Sequence, residues 1–548
     1  MIIHFSDALT IPPHDFCIVG AGPAGIALAL RLADRGHRVL LLESGGEKPE
    51  AFSGSLSGAN LVDERVHAPM TIASCRALGG TSWWWGGRCV PFDPADFAER
   101  PHAPGTEWPI RYEEIERWHP EAATFFAVGG HSFEKEAGLP SLAGACCNTL
   151  ERWSPQPNVG HLYKEDLQRD DRIMLILGAT VTALQAEQGG RQIRALTLTD
   201  RTKKLDLPVK NCTLACGGLE TTRLLLLAKQ HCPWLFEPSA PSLGRFYMGH
   251  ISGKIADIVF NAPESAEAFD FFLEKGAFAR RRFTFDAATL RQRKLLNIAF
   301  WVDNPPFHDP AHRSSILSAV WLALATPFLG RRLLAEAVRL AHVGPPPFRV
   351  TQHIGNIVRS PFSLFVSLIQ IVKDRFFAKP RKPGFLIKNA GGKYALHYHA
   401  EHIPSPSSRV TLSEETDPLG VPKLSVDLRF SDRDADSVVR AHELLDQFLR
   451  KSQLGYLEYR FPKDGRLSGV LSQACDGFHQ IGTTRMSSSP DAGTVNSDCK
   501  VHGIDNLYIL SSSVFPSSGQ ANPTFLVVAL AHRLASHLAS SVSSSKGI

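Results

Sequence analysis

Between Phe16 and Glu43 the chain reads FCIVGAGPAGIALALRLADRGHRVLLLE, and this stretch leaves few folds open. Phe16 to Val19 is a short apolar run of the kind buried on both faces of a parallel sheet. Gly20-x-Gly22-x-x-Gly25 follows and opens an apolar helix that runs to about Arg35, where Gly36 ends it. A second strand, Val39 to Leu42, closes on Glu43. Gly20 permits the tight turn, Gly22 lets backbone N–H groups approach a pyrophosphate, and Gly25 lets helix and strand pack closely. The helix N-terminus favours the anion. Glu43 lies eighteen residues after Gly25, placed to accept hydrogen bonds from a ribose hydroxyl. Gly20, Ala21, Gly22, Gly25 and Glu43 are therefore expected to bind a dinucleotide within a doubly wound α/β unit. The carboxylate would repel a 2′-phosphate, which weighs against NADP, but the motif alone does not separate FAD from NAD.

A chain of 548 residues exceeds one ordinary core, so two or three domains are expected. A net charge of +5 does not make the whole molecule a polyelectrolyte, and no nucleic-acid partner is expected. The ten cysteines form no CxxC pair and no disulfide framework, which favours a reducing compartment. The N-terminus lacks a basic region followed by an apolar run, and no uninterrupted apolar stretch is long enough to span a bilayer. The expected location is the cytoplasm, with attachment to the inner face of the membrane as a variant.

Three further segments decide the cofactor. They are Leu78-Gly-Gly-Thr-Ser-Trp-Trp-Trp-Gly-Gly-Arg88, Leu214-Ala-Cys-Gly-Gly-Leu-Glu-Thr-Thr-Arg-Leu-Leu225, and the stretch from Gly477-Phe-His479 through Thr484-Arg-Met486 to Ser513-Val-Phe-Pro516 and Asn522-Pro-Thr524. With the first βαβ unit, in this order, they resemble the glucose–methanol–choline (GMC) family of FAD-dependent oxidoreductases, on the side of bacterial sugar-oxidising branches. The resemblance implies a Rossmann-like FAD-binding domain assembled from residues 1–250 and 471–548. Residues 251–470 would form an inserted substrate domain with a large, mainly antiparallel sheet. It implies cofactor contacts from Gly79, Gly80, Thr81, Trp85, Gly86, Val181, Ala215, Ser512, Asn522, Pro523 and Thr524. Pro523 suits a first helical turn, and that N-terminus would face the flavin where negative charge develops on reduction. Two departures stand out. Where some members carry a histidine that tethers FAD, this chain has Trp83, Trp84 and Trp85, so FAD is expected to be non-covalent. Where an Asp is common before the Ser-Val-Phe-Pro run, it has Leu510-Ser-Ser-Ser513, leaving hydroxyls and backbone to make the contacts.

Hydride leaves an alcohol carbon more readily once the hydroxyl proton has been taken, so the chemistry needs a base on one side and flavin N5 on the other. His479 is the candidate base, with an ordinary pKa near neutrality, and Asn522 can orient the same hydroxyl. His397, His399 and Glu401 would share one face of a strand and form a substrate wall, with a divalent metal as the less favoured reading and none expected. Gly249-His250 matches a family segment and is expected to be structural.

Ser408 to Phe430 reads as two strands around Asp417-Pro-Leu-Gly420, and Asp432 to Lys451 as a helix burying Val438, Val439, Leu444, Leu445, Phe448 and Leu449. A helix is expected from Thr524 to about Leu538, and a frayed tail from Ser540. Residues 313–388 hold twelve Arg or Lys and two acids, a local +10 interleaved with apolar runs. Such a segment can lie on an anionic membrane or cap its own domain. The expected substrate is a carbohydrate or polyol, with a lipid-linked carrier as a variant, and the electron acceptor is open. The competing readings are a sterol or other lipid alcohol, a non-catalytic flavoprotein serving as a membrane electron relay, and a monooxygenase or reductase. The last would need a second nucleotide fingerprint, which is absent. With tryptophans in the tethering position, acid precipitation of the yellow protein should leave the flavin in the supernatant. Flavin in the washed pellet would show a covalent link.

Overall fold

Apolar four-residue runs make the central strands. Phe16–Val19 and Val39–Leu42 are buried at every position and pair in parallel. They sit inside a six-stranded sheet whose order is Ile2–His4, Ile173–Leu177, Val39–Leu42, Phe16–Val19, Cys212–Leu214, Leu507–Ile509, all parallel. Phe16–Val19 thus has a later strand on each side, and the crevice at its carboxyl end lies where the winding reverses. The helix Pro23–Asp34 leaves from that end and packs against the C-terminal helix Thr524–Ser545. Gly25 is needed where the helix Pro23–Asp34 packs on the strand and turn before it, because a Cβ there would stand 1.9 Å from the Gly20 carbonyl oxygen. This computed structural model describes residues 1–7, 11–140, 144–236, 241–333, 339, 342–344, 346–389 and 391–545.

A second six-stranded sheet is antiparallel, in the order Gly455–Tyr459, His250–Phe260, Lys393–Glu401, Ile298–Asp303, Phe283–Phe285, Ala145–Cys146. Ala145–Cys146 reaches it from the first 250 residues, as Ala59–Leu61 reaches Pro422–Asp427, so the chain is stitched across the two sheets. The helix Asp432–Lys451 begins at a capping box between Ser431 and Asp434. It covers this sheet with Val438, Leu444, Leu445 and Leu449, while Val439 and Phe448 are only partly buried. The hairpin at Asp417–Gly420 joins Arg409–Thr416 to Pro422–Asp427.

The C-terminal helix outruns its expected end. It continues through Ser540 to Ser545 instead of fraying, and the rest of the expected tail, 546–548, lies outside the described residues. The basic stretch resolves into the helices Ser315–Ala325, Pro327–Leu333, Val350–Arg359 and Pro361–Val372, with 334–338, 340–341 and 345 outside the described residues.

Four buried histidines tie stability to pH. Burial pushes His119, His250, His442 and His532 down to about 4 from an ordinary 6.5. The unfolded chain takes up these protons near 6.5 and the folded chain only near 4, so stability is present above 6.5 and is lost as pH falls between the two. Each such group contributes up to about 1.4 kcal/mol per pH unit in that window. The thermal midpoint should therefore drop on acidification from 6.5 toward 4, and His442→Gln should flatten the drop. An unchanged slope in that variant would remove His442 from the effect.

Candidate active site

The crevice beside the first strand is lined by bare backbone and small side chains. Val19, Gly20, Gly22, Pro23, Glu43, Gly80, Thr81, Val181, Ala215, Ser512, Pro523 and Thr524 all face one cavity. These include most of the expected cofactor positions, gathered from all four motif segments. Gly22 and Gly80 lie against each other on its wall, where a Cβ on Gly80 would come within 3.0 Å of the Gly22 Cα. A Cβ on Gly22 would meet only the Cα of Gly80, at 3.9 Å, so a side chain there would project into the crevice and fill it. Gly20 is held at φ +103°, where a Cβ would strike the Ala215 carbonyl oxygen at 2.6 Å.

Glu43 accepts the N–H of Ala21 and of Gly45, each at 2.9 Å, which fixes the turn. Burial pushes its carboxyl up, against the opposing pull of those two N–H groups and of Arg76. Arg76, which the sequence reading did not single out, reaches the same cavity, pairs with Glu220 at 2.6 Å and donates to Ser44 at 2.9 Å. Ser512 lines the crevice and donates to the Gln480 carbonyl at 2.7 Å, in place of the absent acid.

Six expected cofactor positions do not line the crevice: Ala21, Gly25, Gly79, Trp85, Gly86 and Asn522. Ala21 and Gly79 are joined by a backbone hydrogen bond of 2.8 Å, while Trp85 and Gly86 stand apart. Trp85 donates its Nε1–H to the Pro157 carbonyl at 2.7 Å and packs edge-on against Phe126, so its ring is spent on the protein core. Trp83 likewise donates to the Leu78 carbonyl, at 2.9 Å.

At one end of this cavity, hydrogen bonding fixes the protonation of His479. The Ser518 carbonyl can only accept, so the His250 Nε2 lying 3.1 Å from it carries a proton. His250 Nδ1 is then a bare acceptor. The atom 3.0 Å away, His479 Nδ1, must be its donor. The same Nδ1–H faces Asp476 Oδ2 at 3.0 Å. His479 Nε2 is left with its lone pair, and Asn522 donates an Nδ2–H to it at 3.2 Å. Asn522 Oδ1 is buried without a hydrogen-bond partner among the described residues. The site thus presents an imidazole lone pair beside an amide with unused capacity, which is what a hydroxyl needs to be held and deprotonated.

Asp476 carries this arrangement. It accepts from the His250 N–H at 2.6 Å and from the Phe478 N–H at 2.9 Å, as well as from the His479 ring. Burial alone would raise its carboxyl, but the His479 and His250 groups outweigh burial and hold it well below the usual range. Gly249 makes room for it, since a Cβ there would come within 2.7 Å of the Asp476 Cβ. His250, expected to be structural at a domain join, is instead in direct hydrogen-bond contact with His479. No spacing rule pointed to Asp476; its only signal was an acid three residues before His479.

The expected wall of His397, His399 and Glu401 is only half assembled. His399 donates Nδ1–H to the Gln520 carbonyl at 2.7 Å and stacks on His250 at 4.1 Å. Burial, reinforced by His250 and His479, keeps its ring neutral. His397 stacks on Trp301 at 4.3 Å, with the Arg88 guanidinium at 4.4 Å from the same Trp301 ring. Glu401 does not belong with them. Its carboxylate is fully buried and takes two hydrogen bonds from Arg100, at 2.5 and 2.7 Å, and one from the Asn297 N–H at 3.0 Å. The strand alternation placed it on the correct face, but a buried ion pair consumes it. The ring nitrogens that do converge are those of His250, His399 and His479. Those of His250 and the Nδ1 of His479 are already engaged in the hydrogen bonds above.

Comparison with known proteins agrees with this geometry. Residues 404–531 match the family model described as GMC oxidoreductase, and residues 18–63 match that of an NAD(P)-binding Rossmann-like domain. The chain is 21% identical to 2-methyl-1,2-propanediol dehydrogenase of Mycolicibacterium austroafricanum, over 96% of this chain and 95% of that protein. It is 29% identical to paromamine 6′-oxidase of Streptomyces fradiae over 26% of this chain and 24% of that one. Among solved structures, pyridoxine 4-oxidase from Mesorbium loti superposes with a TM-score of 0.56 at 18% identity, over 96% of this chain and 99% of the other. Fold and site define an FAD-dependent oxidoreductase that acts on CH–OH groups. The chain resembles the GMC oxidoreductases, and its residues 404–531 carry the match to that family's model.

Asp476→Asn tests the positioning of the base. An amide can offer an N–H where Nδ1–H now points, favouring the wrong tautomer. Substrate-driven flavin reduction should fall by about 10²–10⁴-fold, with bound FAD unchanged and a shifted pH profile. Unchanged reduction would show that Asp476 only supports the fold.

Proposed function

We propose that this protein oxidises a secondary or primary hydroxyl of a carbohydrate or polyol, with His479 Nε2 as the base and Asn522 as the group that orients the hydroxyl. The observation that carries this reading is the hydrogen-bonded series Ser518–His250–His479–Asp476, which leaves a single basic lone pair facing Asn522. The substrate O–H donates to that lone pair, and its oxygen accepts an Asn522 Nδ2–H. As the proton transfers, the new imidazolium is stabilised by the buried Asp476 carboxylate. FAD held non-covalently in the crevice supplies the hydride acceptor. The residues fit that cofactor: Gly22 and Gly80 give bare backbone for a pyrophosphate, Glu43 stands by for a ribose, and the helix starting at Thr524 turns its N-terminus to the cavity.

The substrate class is supported by the polar wall of His397 and His399 and by relatives whose names specify a propanediol and paromamine. A metal-assisted reaction has less support, because both ring nitrogens of His250 and the Nδ1 of His479 and of His399 are engaged in hydrogen bonds within the protein.

Anaerobic mixing with a panel of polyols and sugars should bleach the bound flavin of the wild-type protein. His479→Ala should keep its FAD and lose about 10²–10⁴-fold in that reduction rate. Near-normal bleaching by His479→Ala would remove His479 from the mechanism, and a panel on which the wild type never bleaches would defeat the substrate class.

A further inference from the structure

The helix Val350–Arg359 inverts the usual arrangement of a surface helix. Its inward face is polar. Asn356 donates to the Pro310 carbonyl at 2.9 Å and to Ser318 Oγ at 3.1 Å. His353 shares a hydrogen bond of 3.0 Å with Ser318 and stacks on Trp321 at 4.0 Å. Its outward stripe is Val350, Ile354 and Val358, one turn apart, and Val358 is 71% exposed. The next helix, Pro361–Val372, extends the stripe with Phe362, Phe365, Val366, Leu368 and Ile369, and Phe362 is 79% exposed. Thirteen of the eighteen exposed large hydrophobic side chains among the described residues fall between Phe328 and Phe377. The exposed apolar side chains are therefore concentrated in one segment of the chain and not scattered over it.

Charge and length indicate what covers it. From Arg349 to Arg381 there are six Lys or Arg and one acid, Asp374. Arg349, Arg359, Lys373, Lys379 and Arg381 are exposed, at both ends of the apolar stripe. Cations flanking exposed phenylalanines match a surface that is anionic outside and apolar beneath. Helices of 10 and 12 residues measure about 15 and 18 Å, short of a hydrocarbon core of about 30 Å. The pair is bent by 97°, and among the described residues no single helix is long and apolar enough to cross a membrane. The geometry fits helices lying in the interface.

We propose that the helices Val350–Arg359 and Pro361–Val372 dock the protein on an anionic lipid bilayer, phenylalanines inserted below the headgroups and the flanking Lys and Arg on lipid phosphates. This docking does not depend on the identity of the alcohol. It is tested by flotation of the FAD-loaded protein with vesicles of phosphatidylcholine alone or mixed with phosphatidylglycerol. Wild type should float with the mixed vesicles, far less with the neutral ones, and high salt should weaken binding without abolishing it. Each cation near such a surface is worth about fivefold in partitioning, so Arg349→Gln, Arg359→Gln, Lys373→Gln and Lys379→Gln together should lower it by more than about a hundredfold. Phe362→Ser with Phe365→Ser should remove the part that survives salt. Both variants alter exposed side chains and should retain FAD and flavin reduction. Equal flotation with both vesicle types, flotation with neither, or concentration-dependent self-association in place of vesicle binding would overturn the proposal.

Discussion

A carboxylate buried where two sheets meet organises this molecule. Asp476 follows the short helix Arg466–Leu471 and precedes the C-terminal motif, and it grips the first residue of the strand His250–Phe260 through a 2.6 Å hydrogen bond. A buried anion is costly unless every lone pair is used. Here the satisfying donors are the His250 N–H, the Phe478 N–H and the His479 ring. Fold and chemistry are therefore joined at one group: the donors that make the carboxylate tolerable are those that fix the base. The bare backbone of Gly249 is what lets the two segments come this close.

Local patterns were legible and long-range ones were not. The strand Phe16–Val19, the helix after it and the strand Val39–Leu42 fall where the glycine spacing and apolar runs place them, because the turn and the pairing that define the unit lie within one βαβ segment. The GMC motifs likewise gathered most expected cofactor positions around one cavity. His250 and Ser518 could not be read in the same way. They lie 268 residues apart, and their meeting follows from sheet packing rather than from any spacing. Glu401 shows the converse error. Strand alternation identifies a face but not what stands opposite, and Arg100 arrives there from 301 residues earlier in the chain. Trp85 was placed by analogy with a loop whose neighbouring ring positions are differently occupied here, and Pro157 captures it.

The inserted helices share this limit. A basic, apolar composition was visible at once, but composition alone fits both a membrane-facing helix and an internal cap. What separates them is direction: His353 and Asn356 turn inward to Ser318 and Pro310, which leaves the valines and phenylalanines outside. The insertion departs from Asp303 and returns at Lys393, the ends of two adjacent strands whose other residues include Trp301, His397 and His399. Along such a strand four residues cover about 14 Å, the distance between the end of the insertion at Lys393 and His397.

The fixed tautomer of His479 has a kinetic corollary. A proton collected at Nε2 can leave through the back of the ring only if the Nδ1 proton is handed on, and the receiver there is poor: burial holds His250 down to about 4, and the series behind it ends at the Ser518 carbonyl. The Asp476 carboxyl, held well below its usual range, is no better a receiver. In the proposed reaction the inner side is a poor outlet, and the base resets through the side from which the alcohol entered. Ketone or aldehyde departure and base recovery then share one side of the ring.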